Sequence, residues 1–142
     1  MKLTDCIKEK KLKATELEIW GPYLRKEWEN HFASHLSEEE KQRINLNRRG
    51  GFQGYLWHLF SYRMRDCLQR EEADQAFRQV SGESCYVFYQ LSNKVWIMES
   101  PSQLSVEDLA EECDVYVVDK QFTWTYVRTH EKEWCGPYFC RR

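Results

Sequence analysis

The sequence predicts an α+β fold: N-terminal helices packed on one face of a four- to five-stranded antiparallel sheet, built from two C-terminal β-hairpins joined by a short helix. Two observations lead there. From Leu24 to about Phe77 the apolar residues recur at the three- and four-residue steps of a helix face. From Cys85 onward they fall in short β-branched and aromatic runs bounded by turn residues. Helical segments followed by strand segments, rather than the two in alternation, are the mark of α+β. At 142 residues the chain is expected to form a single domain, 1–142, with a helical half (1–80) and a sheet half (84–140).

Residues 2–14 are lysine-rich, with Leu3, Ile7 and Leu12 on one weak face, and predict a short helix. Glu16–Trp20 alternates apolar and polar residues, so it is expected to be extended until Gly21-Pro22 breaks it. Proline suits the first position of a helix, where its missing N–H would be unpaired anyway. The next helix has the clearest period: Leu24, Trp28, Phe32 and Leu36 lie at steps of four. Ser37-Glu38-Glu39-Glu40 is a capping box that starts another helix, through about residues 44–46. Asn47–Gly51 is expected to be a loop. Tyr55–Gln69 predicts a third helix, burying Leu56, Leu59, Phe60, Met64, Cys67 and Leu68. A short helical piece ends near Phe77. Residues 85–91 and 94–99 then form a hairpin turning tightly at Ser92-Asn93. Ser105–Asp108 is a second N-cap signal, for a helix to about Glu112. Residues 114–119 and 122–128 form a second hairpin around Lys120.

Aromatic residues make up 15% of the chain and prolines number only three, a composition that favours a packed core over disorder. The 21 basic and 23 acidic residues nearly cancel, giving −2. Nucleic-acid binders carry a basic excess, so nucleic acid is not the expected partner. Met1–Lys10 is charged and lacks the apolar stretch of a signal peptide, and no apolar run reaches the length of a membrane span. The expected setting is the cytoplasm. Cys6, Cys67, Cys85, Cys113, Cys135 and Cys140 are then expected to be thiols. Cys135 and Cys140, on either side of Gly136-Pro137, are the pair most prone to oxidise in air.

Phe122-Thr-Trp-Thr-Tyr-Val-Arg128 runs into His130-Glu131 and then into Trp134-Cys-Gly-Pro-Tyr-Phe139. A histidine beside a carboxylate can act as a general base or as one arm of a metal site. It can equally be a strand-end residue bonded to a turn, and without a nucleophile motif that plainer role is favoured. His58 could join His130 and Glu131 if the fold brings them together. Cys135 and Cys140 are spaced too loosely for a zinc knuckle. His31 and His35 lie one helical turn apart, but Phe-Ala-Ser stands between them where a metalloprotease has its glutamate. No phosphate loop, nucleophile elbow or calcium loop is present in the sequence. No metal and no cofactor are expected. Arg48-Arg49 before Gly50-Gly51 could receive an acidic partner or an anion.

The aromatic surplus points to binding. Tyr86, Phe88 and Val95 share one face of the first hairpin, which leaves Val87, Tyr89 and Trp96 on the other. If helices cover a single face, aromatic side chains stay exposed on the second, and charge-rimmed aromatic patches are the composition of protein interfaces. The expected contact residues are Trp124, Tyr126, His130, Glu131 and Trp134, with Arg48 and Arg49 as a second surface.

Tyr55-Leu-Trp-His-Leu-Phe-Ser61, Arg65-Asp-Cys67, Cys85-Tyr-Val-Phe-Tyr89, Tyr116-Val-Val-Asp119, Phe122-Thr-Trp-Thr-Tyr126, Thr129-His-Glu131 and Cys135-Gly-Pro-Tyr-Phe139 resemble the 4275 family of domains of unknown function, over nearly the whole chain. That resemblance implies a bacterial, cytoplasmic, single-domain protein and supplies no catalytic residue. The strand–Trp–strand–His ending resembles bacterial immunity domains more loosely, at the level of fold alone. The expected function is non-enzymatic protein binding of an inhibitor-like or immunity-like kind. The alternative is a small hydrolase or nuclease-like enzyme using His130 with Glu131, or with His58.

Overall fold

A computed structural model describes residues 2–82 and 84–142. Among these residues it has five α-helices and one seven-stranded sheet. In chain order the elements are α1 (Leu3–Lys10), β1 (Ala14–Leu17), α2 (Gly21–Phe32), α3 (Glu38–Arg43), α4 (His58–Ser61), β2 (Leu68–Gln69), α5 (Glu71–Arg78), β3 (Cys85–Tyr89) and β4 (Val95–Met98). Two 3₁₀ turns (Pro101–Gln103 and Glu107–Leu109) lead to β5 (Val115–Asp119), β6 (Trp124–Arg128) and β7 (Tyr138–Arg141). The strand order is β1-β4-β3-β5-β6-β7-β2, and every pairing is antiparallel.

The α+β class and the two hairpins match the expectation, but the sheet is larger than four or five strands. The hairpins β3–β4 and β5–β6 form its middle. Three strands were hidden by weak local signals. β1 is an edge strand whose Thr15 and Glu16 are exposed, β2 has two residues, and β7 follows a Gly-Pro turn.

Helices lie on both sides of the sheet, which corrects the one-face expectation. Side chains alternate between the faces of a strand, and here the alternation sorts them into two separate cores. Tyr116 and Val118 of β5 join α2 and α4 residues Leu24, Trp28, Phe32, Leu59 and Phe60. Val115 and Val117 of the same strand join Leu3 and Ile7 of α1 and Ala73 and Phe77 of α5. A central strand buried on both faces needs a continuous apolar run, which Val115-Tyr-Val-Val118 provides.

Ser37 caps α3 as expected: its Oγ accepts from Glu40 N–H at 3.1 Å, and Glu40 Oε1 accepts from Ser37 N–H at 3.0 Å. The long helix expected over 55–69 is instead a set of tight turns around the four-residue α4. Leu56 N–H donates to Gln90 Oε1 at 2.9 Å and Trp57 N–H to Tyr116 Oη at 3.1 Å, so the sheet satisfies the opening donors. At the other end Arg63 takes a left-handed conformation (φ 58°). Met64 N–H then reaches Leu59 O at 2.9 Å and Arg63 N–H reaches Phe60 O at 3.0 Å, the two bonds of a Schellman stop. Apolar spacing alone cannot separate such turns from a continuous helix. The helix expected from Ser105 is only a 3₁₀ turn, although Ser105 and Asp108 do exchange the capping bonds, both at 3.1 Å.

The β3–β4 connection spans residues 90–94 rather than a two-residue turn. Arg25 holds it, donating to Tyr89 O (2.9 Å), Ser92 O (2.8 Å) and Asn93 Oδ1 (2.9 Å). No helix among the described residues is long and apolar enough to cross a membrane.

Candidate functional site

Asp114 lies just before β5 in a left-handed conformation (φ 51°), which Asp and Asn tolerate better than most residues. Its buried carboxylate collects three donors. Trp57 Nε1 reaches Oδ1 at 2.8 Å, the His130 backbone N–H reaches Oδ1 at 3.1 Å, and His130 Nδ1 lies 2.9 Å from Oδ2. Gln90 N–H also donates to the Asp114 carbonyl at 2.9 Å. One residue thereby ties together the end of β3, the approach to α4 and the segment leaving β6.

A carboxylate at Nδ1 fixes the proton on that nitrogen. The neutral ring then offers Nε2 as an acceptor at the surface, and Glu131 Oε1 is 3.5 Å from it. A protonated ring would meet a carboxylate at each nitrogen.

Aromatic rings bracket this imidazole. Tyr55 and Trp57 have ring centroids 5.0 and 5.7 Å from His130. The same two rings lie 5.5 and 4.7 Å from His58, which in turn lies 5.4 Å from Tyr62. The fold therefore gathers His58, His130 and Glu131 into one region, with rings rather than hydrogen bonds linking the two histidines. His58 Nδ1 is 3.0 Å from Asn45 O, which leaves its Nε2 as the acceptor. His130, Glu131 and Tyr62 are exposed, Tyr55 and His58 are half-buried, and Trp57 is buried. Burial, with the Asp114 and Glu131 carboxylates nearby, pushes the Tyr55 phenol above its ordinary pKa, so it stays a donor at neutral pH.

The other expected contact residues are scattered. Trp124 and Tyr126 belong to the core under α5; Tyr126 is fully buried, and Trp124 shows only an edge, in the lining of a cavity of about 560 Å³. Tyr126 stacks on Phe77 with centroids 4.4 Å apart, and its hydroxyl donates to Asp74 Oδ1 at 2.6 Å. Trp124 stacks on Phe139 at 5.9 Å. The period of β6 turns these two residues toward the face that the one-sided reading left bare. Trp134 is 77% exposed, on a turn where its N–H bonds Glu131 O at 2.9 Å. Thr129 braces that turn by donating to Cys135 O at 2.6 Å and accepting from Glu131 N–H at 3.1 Å.

Arg48 and Arg49 are exposed on a structured turn. Arg49 and Phe52 exchange backbone bonds, each 2.9 Å, across Gly50 (φ 57°) and Gly51 (φ 88°). Two successive positive φ angles favour glycine at both positions.

Among the described residues no group of three His, Cys, Asp or Glu side chains is arranged to hold a metal ion. His31 bonds Glu27 O at 2.8 Å and stacks on Phe122, while His35 bonds Met64 O at 2.6 Å. Sequence reading missed Asp114, Tyr55 and Trp57 as members of the His130 site. A single acidic residue at the head of a buried apolar strand was the available signal for Asp114.

The family described as Domain of unknown function (DUF4275) matches residues 1–139 of the 142-residue chain, and the chain belongs to that family. No curated protein and no solved structure matched it.

Proposed function

We propose that this member of the DUF4275 family is a non-enzymatic protein-binding domain whose contact surface is built around His130. The supporting observation is the buried Asp114 carboxylate, 2.9 Å from His130 Nδ1, which holds an exposed imidazole against Tyr55 and Trp57. His58, Tyr62 and Glu131 extend that surface, and Trp134 stands exposed on the turn that starts at Glu131. A group fixed before binding loses little entropy when a partner covers it. The cavities of about 560 and 410 Å³ are lined by residues other than His58, Tyr62, His130, Glu131 and Trp134. A bacterial cytoplasmic setting belongs to the same proposal and suits the core thiols Cys85 and Cys140.

A second reading is favoured by the same bond: Asp114 could orient His130 as a general base, taking the place first given to Glu131. The hydrogen-bond partners of the His130 ring include no hydroxyl or thiol to activate.

The test is affinity capture from extract with the wild type and with His130→Ala, Tyr62→Ala and Trp134→Ala, each confirmed as folded. The captured protein is then purified and titrated. Losing a central aromatic or histidine anchor should weaken binding by roughly 30-fold, equivalent to about 2 kcal/mol. Unchanged affinity in all three variants removes this surface from the interface. Turnover of an ester or phosphodiester that His130→Ala abolishes would instead select the enzyme.

A further inference from the structure

We propose that the cleft between α2, the Asn47–Gly54 loop and the β3–β4 connection binds the phosphate group of a small phosphorylated molecule. The cleft measures about 410 Å³, a size suited to small ligands, and its lining includes Arg25, Lys26, Arg48, Gln53, Gln90 and Asn93. It lies on a different set of residues from the His130 surface and stands independently of the function proposed there.

The charges do not balance within the cleft. Its one carboxylate, Glu29, is buried and already neutralised by Lys41 Nζ at 2.9 Å. Arg25 is half-buried and gives its guanidinium bonds only to the neutral oxygens of Tyr89, Ser92 and Asn93. Arg48 has no hydrogen bond or ion pair from its side chain to any described residue. Lys26 reaches only Glu29, at 3.9 Å. Arg25 and Arg48 therefore line the cleft without a counter-charge, and Lys26 shares Glu29 with Lys41. Arg25 is the partly desolvated one of the three, and a buried cation costs free energy that a bound anion recovers.

A neutral donor joins them. Gln90 Oε1 accepts from both Leu56 N–H (2.9 Å) and Tyr116 O–H (2.7 Å). A backbone N–H can only donate, so the atom facing Leu56 is the oxygen and the amide orientation is determined. The Gln90 NH₂ is left without a partner among the described residues. The loop that carries Arg48 is held closely at its neck: a Cβ on Gly54 would lie 2.3 Å from the Asn47 backbone.

A phosphate monoester carries a charge of about −1.5 to −2 at neutral pH and accepts paired guanidinium bonds. That matches three cations and an amide donor better than a single carboxylate does.

The experiment is an NMR titration of the full chain with glycerol 3-phosphate and with inorganic phosphate, at ionic strength held constant with chloride. The expected result is saturable shifts at the Gln90 side-chain amide and around Arg48. Affinity should fall at least about tenfold in Lys26→Ala, in line with a lost charge-assisted bond. Arg48→Glu should abolish saturation, and Arg43→Ala, outside the cleft, should leave it unchanged. Both cleft substitutions are at exposed positions, so folding is retained and is checked from the same spectra. Absence of saturation in the wild type, or equal affinity in Arg48→Glu, overturns the site. Citrate binding as tightly as the phosphates overturns the phosphate assignment. Tighter binding of a phosphopeptide or an RNA oligomer overturns the small-molecule assignment.

Discussion

The indole Nε1–H of Trp28 donates to Thr125 Oγ1 at 2.9 Å, fastening the middle of α2 to β6 inside the core. The Thr125 hydroxyl in turn donates to Val117 O at 3.0 Å, so the chain of bonds crosses to β5. Trp28 is fully buried and its ring meets Phe32, Phe60 and Tyr116 at centroid distances of 5.1, 5.8 and 5.5 Å. Trp28→Ala is expected to cost roughly 3–5 kcal/mol, a large part of a domain's stability. Thr125→Val keeps the shape but strands the indole N–H, at a cost of about 1–3 kcal/mol. Urea midpoints measure both. A Trp28→Ala midpoint close to wild type would show that this helix face is not core.

Asp114→Asn isolates the charge in the His130 site. Asparagine accepts the left-handed backbone at this position, so strain is not introduced with the substitution. An amide cannot serve Trp57 Nε1, the His130 N–H and His130 Nδ1 as the carboxylate does. The expected loss is about 1–3 kcal/mol. Long-range ¹H–¹⁵N spectra should show His130 moving from a single Nδ1–H tautomer toward a mixture. An unchanged tautomer signal would mean that Asp114 does not orient the ring.

The part of the fold visible in the sequence was the part that local period decides. Trp28 could be placed in the core because Leu24, Phe32 and Leu36 share its helical stripe. Val115–Val118 declared a buried strand by its continuous run. The second core was not visible, because Trp124 and Tyr126 show the same period whether helix or water covers them. The coverage comes from α1 and α5, far away in sequence. The His130 site divides in the same way. Its histidine and glutamate are adjacent in sequence and drew notice, whereas Asp114 and Trp57 reach it across 16 and 73 positions only once the sheet closes.

Acid should loosen the docking of α1. Lys10 Nζ lies 2.5 Å from Asp108 Oδ1, and Ser105 N–H donates to Asp108 Oδ2 at 3.1 Å. Burial pushes the Asp108 carboxyl up, but the Lys10 ammonium and the Ser105 donors outweigh it and leave the pKa lowered. A carboxyl with a depressed pKa in the folded state contributes stability above its unfolded pKa, and loses it as pH falls through the folded value. The denaturant midpoint of the wild type should therefore drop as pH falls below about 4, the ordinary range of aspartate. Asp108→Asn should start lower at neutral pH and show a shallower acid slope. Parallel pH profiles for the two proteins would rule out Asp108 as a source of the acid dependence.

Thiol reactivity should follow burial rather than the sequence spacing that singled out Cys135 and Cys140. Burial pushes the Cys67 and Cys85 thiols up to about 12, and raises those of Cys6 and Cys140 as well. A thiol that is not ionised does not attack a disulfide reagent. Cys113 is exposed and Cys135 is half-buried. With an aromatic disulfide reagent at neutral pH, the native protein should show one fast thiol and a slower second one. All six should react after unfolding in guanidinium. Cys113→Ser should remove the fast phase alone, and melting temperatures with and without reductant should agree. A fast phase that survives Cys113→Ser would place the reactive thiol elsewhere, with Cys135 the first position to substitute next.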